Sequence, residues 1–145
     1  MIPFARILLA SILAFGLALP GAAGAEDISS ADREEIRSMI ASQIEAFRRD
    51  DAGAAYGYAA PAIQGMYPSI DQFMAMVRNQ YPPVYRPRSV TFGEFIEAPG
   101  GFLQKVFLTG PDGENWVAVY SLERQPDGSW RIGGCFLMKD TAPII

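Results

Sequence analysis

Three turn signals divide the second half of the chain into four apolar segments, and this pattern constrains the fold more than any other feature. In each signal a proline presets one backbone dihedral angle and a glycine accepts a positive φ. The signals are Pro99-Gly100-Gly101, Pro111-Asp112-Gly113 and Pro126-Asp127-Gly128. Connections this short join neighbouring antiparallel strands. The sequence therefore predicts an antiparallel meander with strands over 90–96, 102–109, 116–122 and 130–138.

The first part of the chain has a helical period instead. Apolar residues recur at spacings of four, four and three positions, at Ile36, Ile40, Ile44 and Phe47. Acidic side chains come just before this stripe, where they favour the helix dipole. The spacing predicts one long amphipathic helix that starts at Ser30 and ends near the acidic pair at 50–51.

Three further segments connect this helix to the sheet. A short helix is predicted over 52–60, ending at Pro61, because a proline disfavours helix in the residue before it. Another helix is predicted to start at Ser69, which with Gln72 has the pattern of a capping box. The segment 81–89 contains three prolines and is predicted to be extended, with polyproline character.

The last two predicted strands carry apolar side chains on both faces. Simple alternation places two sets together: Trp116, Ala118, Tyr120 and Leu122 in one strand, and Trp130, Ile132, Phe136 and Met138 in the next. A sheet with helices on one side should be polar on the other. Two interpretations stay open: another subunit covers the second face in a homodimer, or a curved sheet wraps both faces into one core.

Glu94 can lie on either face of the first strand. Simple alternation puts Glu94 together with Val90 and Phe92. A bulge near Gly93 would instead turn Glu94 outward and Phe95 inward. The sequence leaves both arrangements open.

Residues 1–25 have the pattern of an export signal. Arg6 precedes the apolar stretch 7–19, which is shorter than the roughly 20 residues that span a bilayer. A small-x-small site, Ala23-Gly24-Ala25, follows. We predict a signal peptide cleaved after Ala25, a periplasmic or secreted protein, and a single domain over 26–145. The alternative is a retained anchor, which the short apolar run disfavours, so we expect no stable membrane anchor after cleavage.

Composition excludes several classes of chemistry. The chain has no histidine, which removes the Ser-His-Asp and Cys-His arrangements and most zinc sites, and we expect neither a metal nor a cofactor. The net charge of −4 argues against a nucleic-acid partner. The single cysteine, Cys135, lies in an apolar run and is predicted to be a buried hydrophobe. A reactive thiol would need a nearby cation, for which Arg131 is the local candidate.

Helices followed by a curved meander sheet resemble the nuclear-transport-factor-two-like (SnoaL-like) cone, which ketosteroid isomerase and polyketide cyclases also use. Four segments also resemble the exported bacterial family called domain of unknown function 4864: QIEAFRRDD (43–51), APAIQ (60–64), YPPVYRP (81–87) and GSWRIGGC (128–135). The resemblance implies an α+β fold, with N-terminal helices packed on a curved four-stranded antiparallel meander sheet, and an exported location. It implies no reaction.

A cone of this kind would enclose a pocket between the helices and the sheet. The sequence then favours a non-catalytic protein that binds a small apolar or weakly anionic ligand. The residues expected at that site are Tyr81, Tyr85, Arg86 and Arg88 near the mouth, Trp116 and Tyr120 on the wall, and Glu94. The arginines have a second interpretation, as a structural strap that pairs with Asp50, Asp51 or Glu94 and whose tyrosines pack over the helices.

Two other functions stay open. An isomerase- or cyclase-type enzyme would need a carboxylate base and a tyrosine, and the candidate bases are Asp50, Asp51 and Glu94. No spacing pairs one base with one tyrosine, and Asp51 also has the position of a helix N-cap. A structural protein-interaction dimer would instead use the second apolar sheet face as its interface.

Overall fold

The computed structural model describes residues 28–141. The predicted signal peptide and its cleavage site lie outside the described residues. The elements are α1 (Ser30–Arg48), α2 (Ala52–Gly57), α3 (Pro61–Met66), α4 (Ile70–Gln80), α5 (Pro82–Tyr85), β1 (Ser89–Ala98), β2 (Gly101–Thr109), β3 (Asn115–Arg124) and β4 (Trp130–Lys139). Within this part of the chain, no helix has the length and apolar character needed to cross a membrane.

The four strands form one antiparallel sheet in the order β1-β2-β3-β4, which confirms the predicted α+β class and the meander. Gly113 and Gly128 have φ values of 83° and 86°, as the Pro-Asp-Gly turns require. Helices cover one face of the sheet, and the core lies between the helices and that face. Its largest fully buried side chains are Trp130, Tyr120, Phe47, Ile36, Ile40, Ile44, Gln104 and Val106.

Asp32 connects the start of α1 to the end of β3 and the start of β4. Ser29 and Asp32 form a capping box, which satisfies two backbone N–H groups at the helix start. The carboxylate of Asp32 also accepts a hydrogen bond from Trp130 Nε1 (3.3 Å) and pairs with Arg124 (3.0 Å). Hydrogen bonds from Ser29 are the main reason why the pKa of Asp32 lies well below its usual range.

Two prolines are the first residues of helices, at positions where the sequence predicted the end of a helix or an extended segment. Pro61 is the first residue of α3, and the helix predicted over 52–60 ends at Gly57. Pro82 is the first residue of α5, so the prediction that 81–89 is extended throughout is wrong. A proline suits the first position of a helix because its missing N–H would have no helical partner there.

A bulge in β1 decides the position of Glu94. The pairing with β2 shifts register beside Gly93, so that Phe95 packs against the core and Glu94 is exposed. The buried Gln104 side chain donates hydrogen bonds to the carbonyls of Gly93 (3.0 Å) and Lys105 (2.8 Å), which supports the bulge. The bulge interpretation of Glu94 is therefore confirmed.

A second bulge lies in β4 at Gly133. Ser121 pairs with Gly134, but the next residue of β3, Leu122, pairs with Ile132. Gly133 is thus an additional residue without an opposite partner. A Cβ at Gly133 would lie 2.9 Å from the carboxylate of Glu123, so a larger residue there would require this exposed side chain to move.

The β4 bulge reverses the alternation that simple counting predicts. Cys135 and Leu137 pack against the core, whereas Phe136 (64% exposed) and Met138 (42% exposed) lie on the outer face. The prediction that Phe136 and Met138 share a face with Trp130 is therefore wrong. The outer face is nevertheless apolar, because Phe107 of β2 is also 40% exposed there.

The segment between α2 and α3 contacts the free edge of β4. Ile132 N–H donates to the carbonyl of Tyr58, and Ala60 N–H donates to the carbonyl of Ile132, both at 2.8 Å. These bonds form a parallel bridge between Ala59 and Ile132. The bridge places α3 beside the sheet and closes one side of the space between them.

Candidate functional site

A cavity of about 310 Å³ lies between the helices and the inner face of the sheet. Phe47 and Tyr120, each 1% exposed, form part of its closed end, and Met66, which is 66% exposed, marks the open end. Most of the wall is apolar and comes from α1, α3, α4 and β4. The volume is at the lower end of the range of small-molecule sites, roughly 300–1,000 Å³.

Residues at the β4 bulge form part of the cavity wall on the side of the sheet. The backbone of Gly133 and Gly134 forms part of the wall, and the side chain of Cys135 follows next to it. Cys135 reaches the cavity because the additional residue turns its side chain inward, opposite Tyr120 on β3. The bulge thus brings a thiol and a phenol hydroxyl to one place.

Tyr120, on the cavity wall, carries a buried hydroxyl that makes no hydrogen bond to an oxygen or nitrogen atom of the described residues. Within residues 28–141, three buried side-chain polar atoms lack a hydrogen bond: Gln104 Oε1, Trp116 Nε1 and the Tyr120 hydroxyl. Of these three residues, Tyr120 lines the cavity. Burial raises the pKa of Tyr120 well above its usual value, and that of the Cys135 thiol beside it to about 12. Both groups are therefore neutral at physiological pH.

Two other polar side chains of the wall already have partners. The Tyr81 hydroxyl donates to the carbonyl of Cys135 at 3.0 Å. The Gln43 side-chain nitrogen donates to the carbonyl of Ala55 at 3.1 Å. Burial also raises the pKa of Tyr81. These bonds hold the wall in place.

The described residues that line the cavity include no aspartate, glutamate, lysine or arginine. The candidate bases Asp50, Asp51 and Glu94 are all exposed. Asp51 accepts a hydrogen bond from Ala54 N–H (3.2 Å) as the N-cap of α2, and Glu94 lies 3.7 Å from the ammonium group of Lys105. No group of three or more potential metal ligands occurs in the part of the chain that is described.

Tyr85 and Arg86 lie outside the cavity and form an Asp50 cluster, which consists of Asp50, Tyr85 and Arg86. Asp50 accepts hydrogen bonds from the Tyr85 hydroxyl (2.8 Å) and from Arg86 (2.7 Å). Arg86 also donates to the carbonyl of Phe47 at the end of α1, and its guanidinium lies over the Tyr85 ring. These bonds, first that of Arg86, lower the pKa of Asp50. The cluster fastens α5 to the end of α1.

The remaining predicted site residues also lie away from the cavity. Arg88 is exposed, and its backbone N–H donates to the carbonyl of Thr109 at 2.7 Å. The ring of Trp116 lies 5.7 Å from the ammonium group of Lys139. Of the seven residues that the sequence singled out for a ligand, the structure places Tyr81 and Tyr120 on the cavity wall.

Sequence reasoning missed several residues of the wall, among them Gln43, Val77 and the Tyr120–Cys135 neighbourhood. Gln43 lies on the apolar stripe of α1 although it is polar, and it is 4% exposed. A polar residue on a buried helix face is a signal that could have identified it. For Cys135, the pair of glycines before it was the available signal, because glycines inside a strand often mark a bulge.

Comparison with known proteins identifies a family. The model of the family described as "Domain of unknown function (DUF4864)" matches residues 29–145. No curated protein matches the chain, and no solved structure does so either.

Proposed function

The chain belongs to the DUF4864 family, whose description names no reaction, and from the cavity we propose that the protein binds a small apolar molecule between its helices and its sheet. One observation carries this proposal: an open cavity of about 310 Å³ has a mostly apolar wall, to which Tyr120 contributes a buried hydroxyl that bonds to no oxygen or nitrogen atom of residues 28–141. Well-packed cores leave few voids of this size, whereas ligand sites combine apolar walls with few polar groups.

The position of the acidic side chains favours binding over the enzymatic alternative. An isomerase- or cyclase-type reaction would require a carboxylate within hydrogen-bond distance of the substrate. Asp50, Asp51 and Glu94 are exposed and do not line the cavity. The geometry thus supports a binding function best.

The first test uses protein produced from the full chain and 2-ethylnaphthalene, an apolar probe without a polar group. Equilibrium dialysis should show saturable binding with one probe per chain. Native mass spectrometry of gently purified protein should in addition show an added mass that denaturation releases. No saturable binding and no added mass would refute the proposal.

A pair of tryptophan variants locates the bound probe. Ile63 lines the cavity, whereas its neighbour Ala62 is exposed and does not. Ile63→Trp should fill part of the cavity and weaken probe binding at least about tenfold, an effect of roughly 1.4 kcal/mol. Ala62→Trp should leave binding unchanged. Equal binding by both variants would place the probe elsewhere.

We further propose that the fold is a cone of the nuclear-transport-factor-two-like kind and that the protein is exported after cleavage of residues 1–25. The helices on one face of a four-stranded meander support the first proposal. The charge, apolar stretch and cleavage site of the N-terminal sequence support the second. Mass spectrometry of periplasmic protein should give a chain that begins at Glu26, whereas an intact N-terminus would contradict export.

The outer sheet face supports the proposal of a homodimer. Phe107, Phe136 and Met138 are each at least 40% exposed on this face. Large exposed apolar patches often mark interfaces. Sedimentation equilibrium should show a dimer, and Phe136→Lys should convert it to a monomer. A wild-type monomer at high concentration would contradict this proposal.

A further inference from the structure

We infer that the ligand is uncharged and presents a hydrogen-bond acceptor, such as a ketone, ester or ether oxygen, to the hydroxyl of Tyr120. This inference rests on the proposed binding function. It names the class of molecule that the cavity takes.

The first step of the argument is the unmet hydrogen bond of Tyr120. The residue is 1% exposed, and among residues 28–141 its hydroxyl makes no hydrogen bond to an oxygen or nitrogen atom; its polar neighbour is the Cys135 thiol. A buried polar group without a partner is costly, because it has lost its bonds to water. A ligand that supplies the missing partner removes this cost.

The second step is that two other donors of the cavity wall already have acceptors. The Tyr81 hydroxyl already donates to the carbonyl of Cys135, and the Gln43 nitrogen donates to the carbonyl of Ala55. The Cys135 thiol beside Tyr120 is only a weak donor and acceptor. Among Tyr81, Gln43 and Tyr120, the Tyr120 hydroxyl is therefore the donor that has no oxygen or nitrogen acceptor, and a ligand acceptor would complete it.

The third step concerns charge. No cationic or anionic side chain lines the cavity among the described residues. Arg86, one of the two arginines predicted to contact an anion, is held by Asp50 and by the carbonyl of Phe47. An ionised ligand would lose its hydration in an apolar wall without a countercharge. A neutral molecule avoids this penalty, so the anionic class expected from the sequence is disfavoured.

Three probes with one ring frame test the inference: 2-acetylnaphthalene is neutral with an acceptor, 2-ethylnaphthalene lacks the acceptor, and 2-naphthoate is anionic. We expect 2-acetylnaphthalene to bind about five- to tenfold more tightly than 2-ethylnaphthalene, the effect of one hydrogen bond. The naphthoate should bind most weakly of the three.

Two tyrosine variants identify the donor. Tyr120→Phe removes only the unpartnered hydroxyl, so it should bind 2-ethylnaphthalene like the wild type but lose the preference for 2-acetylnaphthalene. Tyr81→Phe is the matched control on the same wall, and it should keep the preference because its hydroxyl is already bound to Cys135. Circular dichroism of both variants would establish that they are folded.

The possible outcomes separate the inference from the proposed function. If 2-ethylnaphthalene binds but the acetyl compound is no better, or if the naphthoate binds most tightly, the assignment of a neutral acceptor is wrong and the binding function stands. If the preference survives in Tyr120→Phe, the donor is a different group and the inference fails. If none of the three probes binds, the binding function itself is refuted.

Discussion

The cavity and the Asp50 cluster each contain tyrosines that the sequence singled out. The two regions differ in whether the hydroxyl groups of these tyrosines have hydrogen-bond partners. In the Asp50 cluster, the Tyr85 hydroxyl and Arg86 both donate to Asp50, and the groups lie at the surface. In the cavity, the Tyr120 hydroxyl is buried without an oxygen or nitrogen partner, and no charged side chain of the described residues lines the wall.

This difference separates structural from functional polar groups. A group whose hydrogen bonds are satisfied within the protein stabilises the fold and has little left to offer a ligand. A buried polar group without a hydrogen-bond partner does not stabilise the fold. Its desolvation penalty is offset when a ligand forms the missing hydrogen bond. The same residue type can therefore serve either purpose, and its partners decide which.

Phe47 belongs to both regions, so its loss should have the largest effect. Its ring is 1% exposed, lines the cavity and contacts Tyr85, and its carbonyl accepts from Arg86. Phe47→Ala should lower the free energy of unfolding by about 3 to 5 kcal/mol in chemical denaturation. Ile70→Ala, at a position of α4 that is 40% exposed and away from the outer sheet face, is the control and should cost less than about 1 kcal/mol. Equal costs would contradict the assignment of Phe47 to the core.

Arg86→Ala should affect the Asp50 cluster without affecting the probe preference of the cavity. The variant loses the hydrogen bond to Phe47 and the contact with the Tyr85 ring. We expect a loss of about 1 to 3 kcal/mol in urea unfolding. Arg88→Ala removes the exposed neighbour and should change stability by less than about 0.5 kcal/mol. A loss of the acetyl-over-ethyl preference in Arg86→Ala would show that the two regions are not separate.

The two cavity tyrosines should differ in stability although the chemical change is the same. Tyr81→Phe loses a hydrogen bond to Cys135 and should cost about 0.5 to 1.5 kcal/mol. Tyr120→Phe loses only a weak contact with the Cys135 thiol and should lie within about 0.5 kcal/mol of the wild type. Thermal unfolding in the absence of ligand checks both values. A larger cost for Tyr120→Phe would mean that its hydroxyl has a partner.

The pH dependence should be the smallest effect and should differ between the regions. The folded-state pKa of Asp50 lies below 3.8, so its contribution to stability is present above that pH and is lost as the pH falls through the lower folded value. Asp50→Asn should therefore lose less stability on acidification than the wild type does. Binding of 2-acetylnaphthalene should be constant between about pH 5 and 9, because burial keeps Tyr120 and Cys135 neutral. A change within that range would place an ionising group in the cavity.

The sequence predicted the architecture well because apolar spacing and turn residues are local signals. The stripe of α1 and the three turns gave one long helix and four strands close to their observed bounds. Proline was the less certain signal. Pro61 and Pro82 are each the first residue of a helix. A proline can end one helix or begin another with the same restricted φ, so its position in the sequence did not distinguish termination from initiation.

The candidate site was harder to predict because it depends on tertiary pairing. Tyr120 faces the core by simple alternation, but the inward position of Cys135 requires the additional residue at Gly133. The direction in which Arg86 points is set by Asp50, which lies 36 positions earlier in the chain. The strap interpretation named Asp50 among three acidic partners, and the Arg86–Asp50 pair is confirmed, but spacing did not choose among the three. For Cys135, a one-residue change of register exchanges the two faces of a strand.

The bridge between Ala59 and Ile132 also bears on self-association. The outward edge of β4 carries backbone groups that could pair with a strand of another molecule. At Ile132 both the N–H and the carbonyl are already bonded, to Tyr58 and Ala60. An incoming strand would have to displace the junction of α2 and α3 before it could extend the sheet at that point. The same bridge that frames the cavity therefore protects this stretch of the edge against open-ended sheet growth and fibril formation.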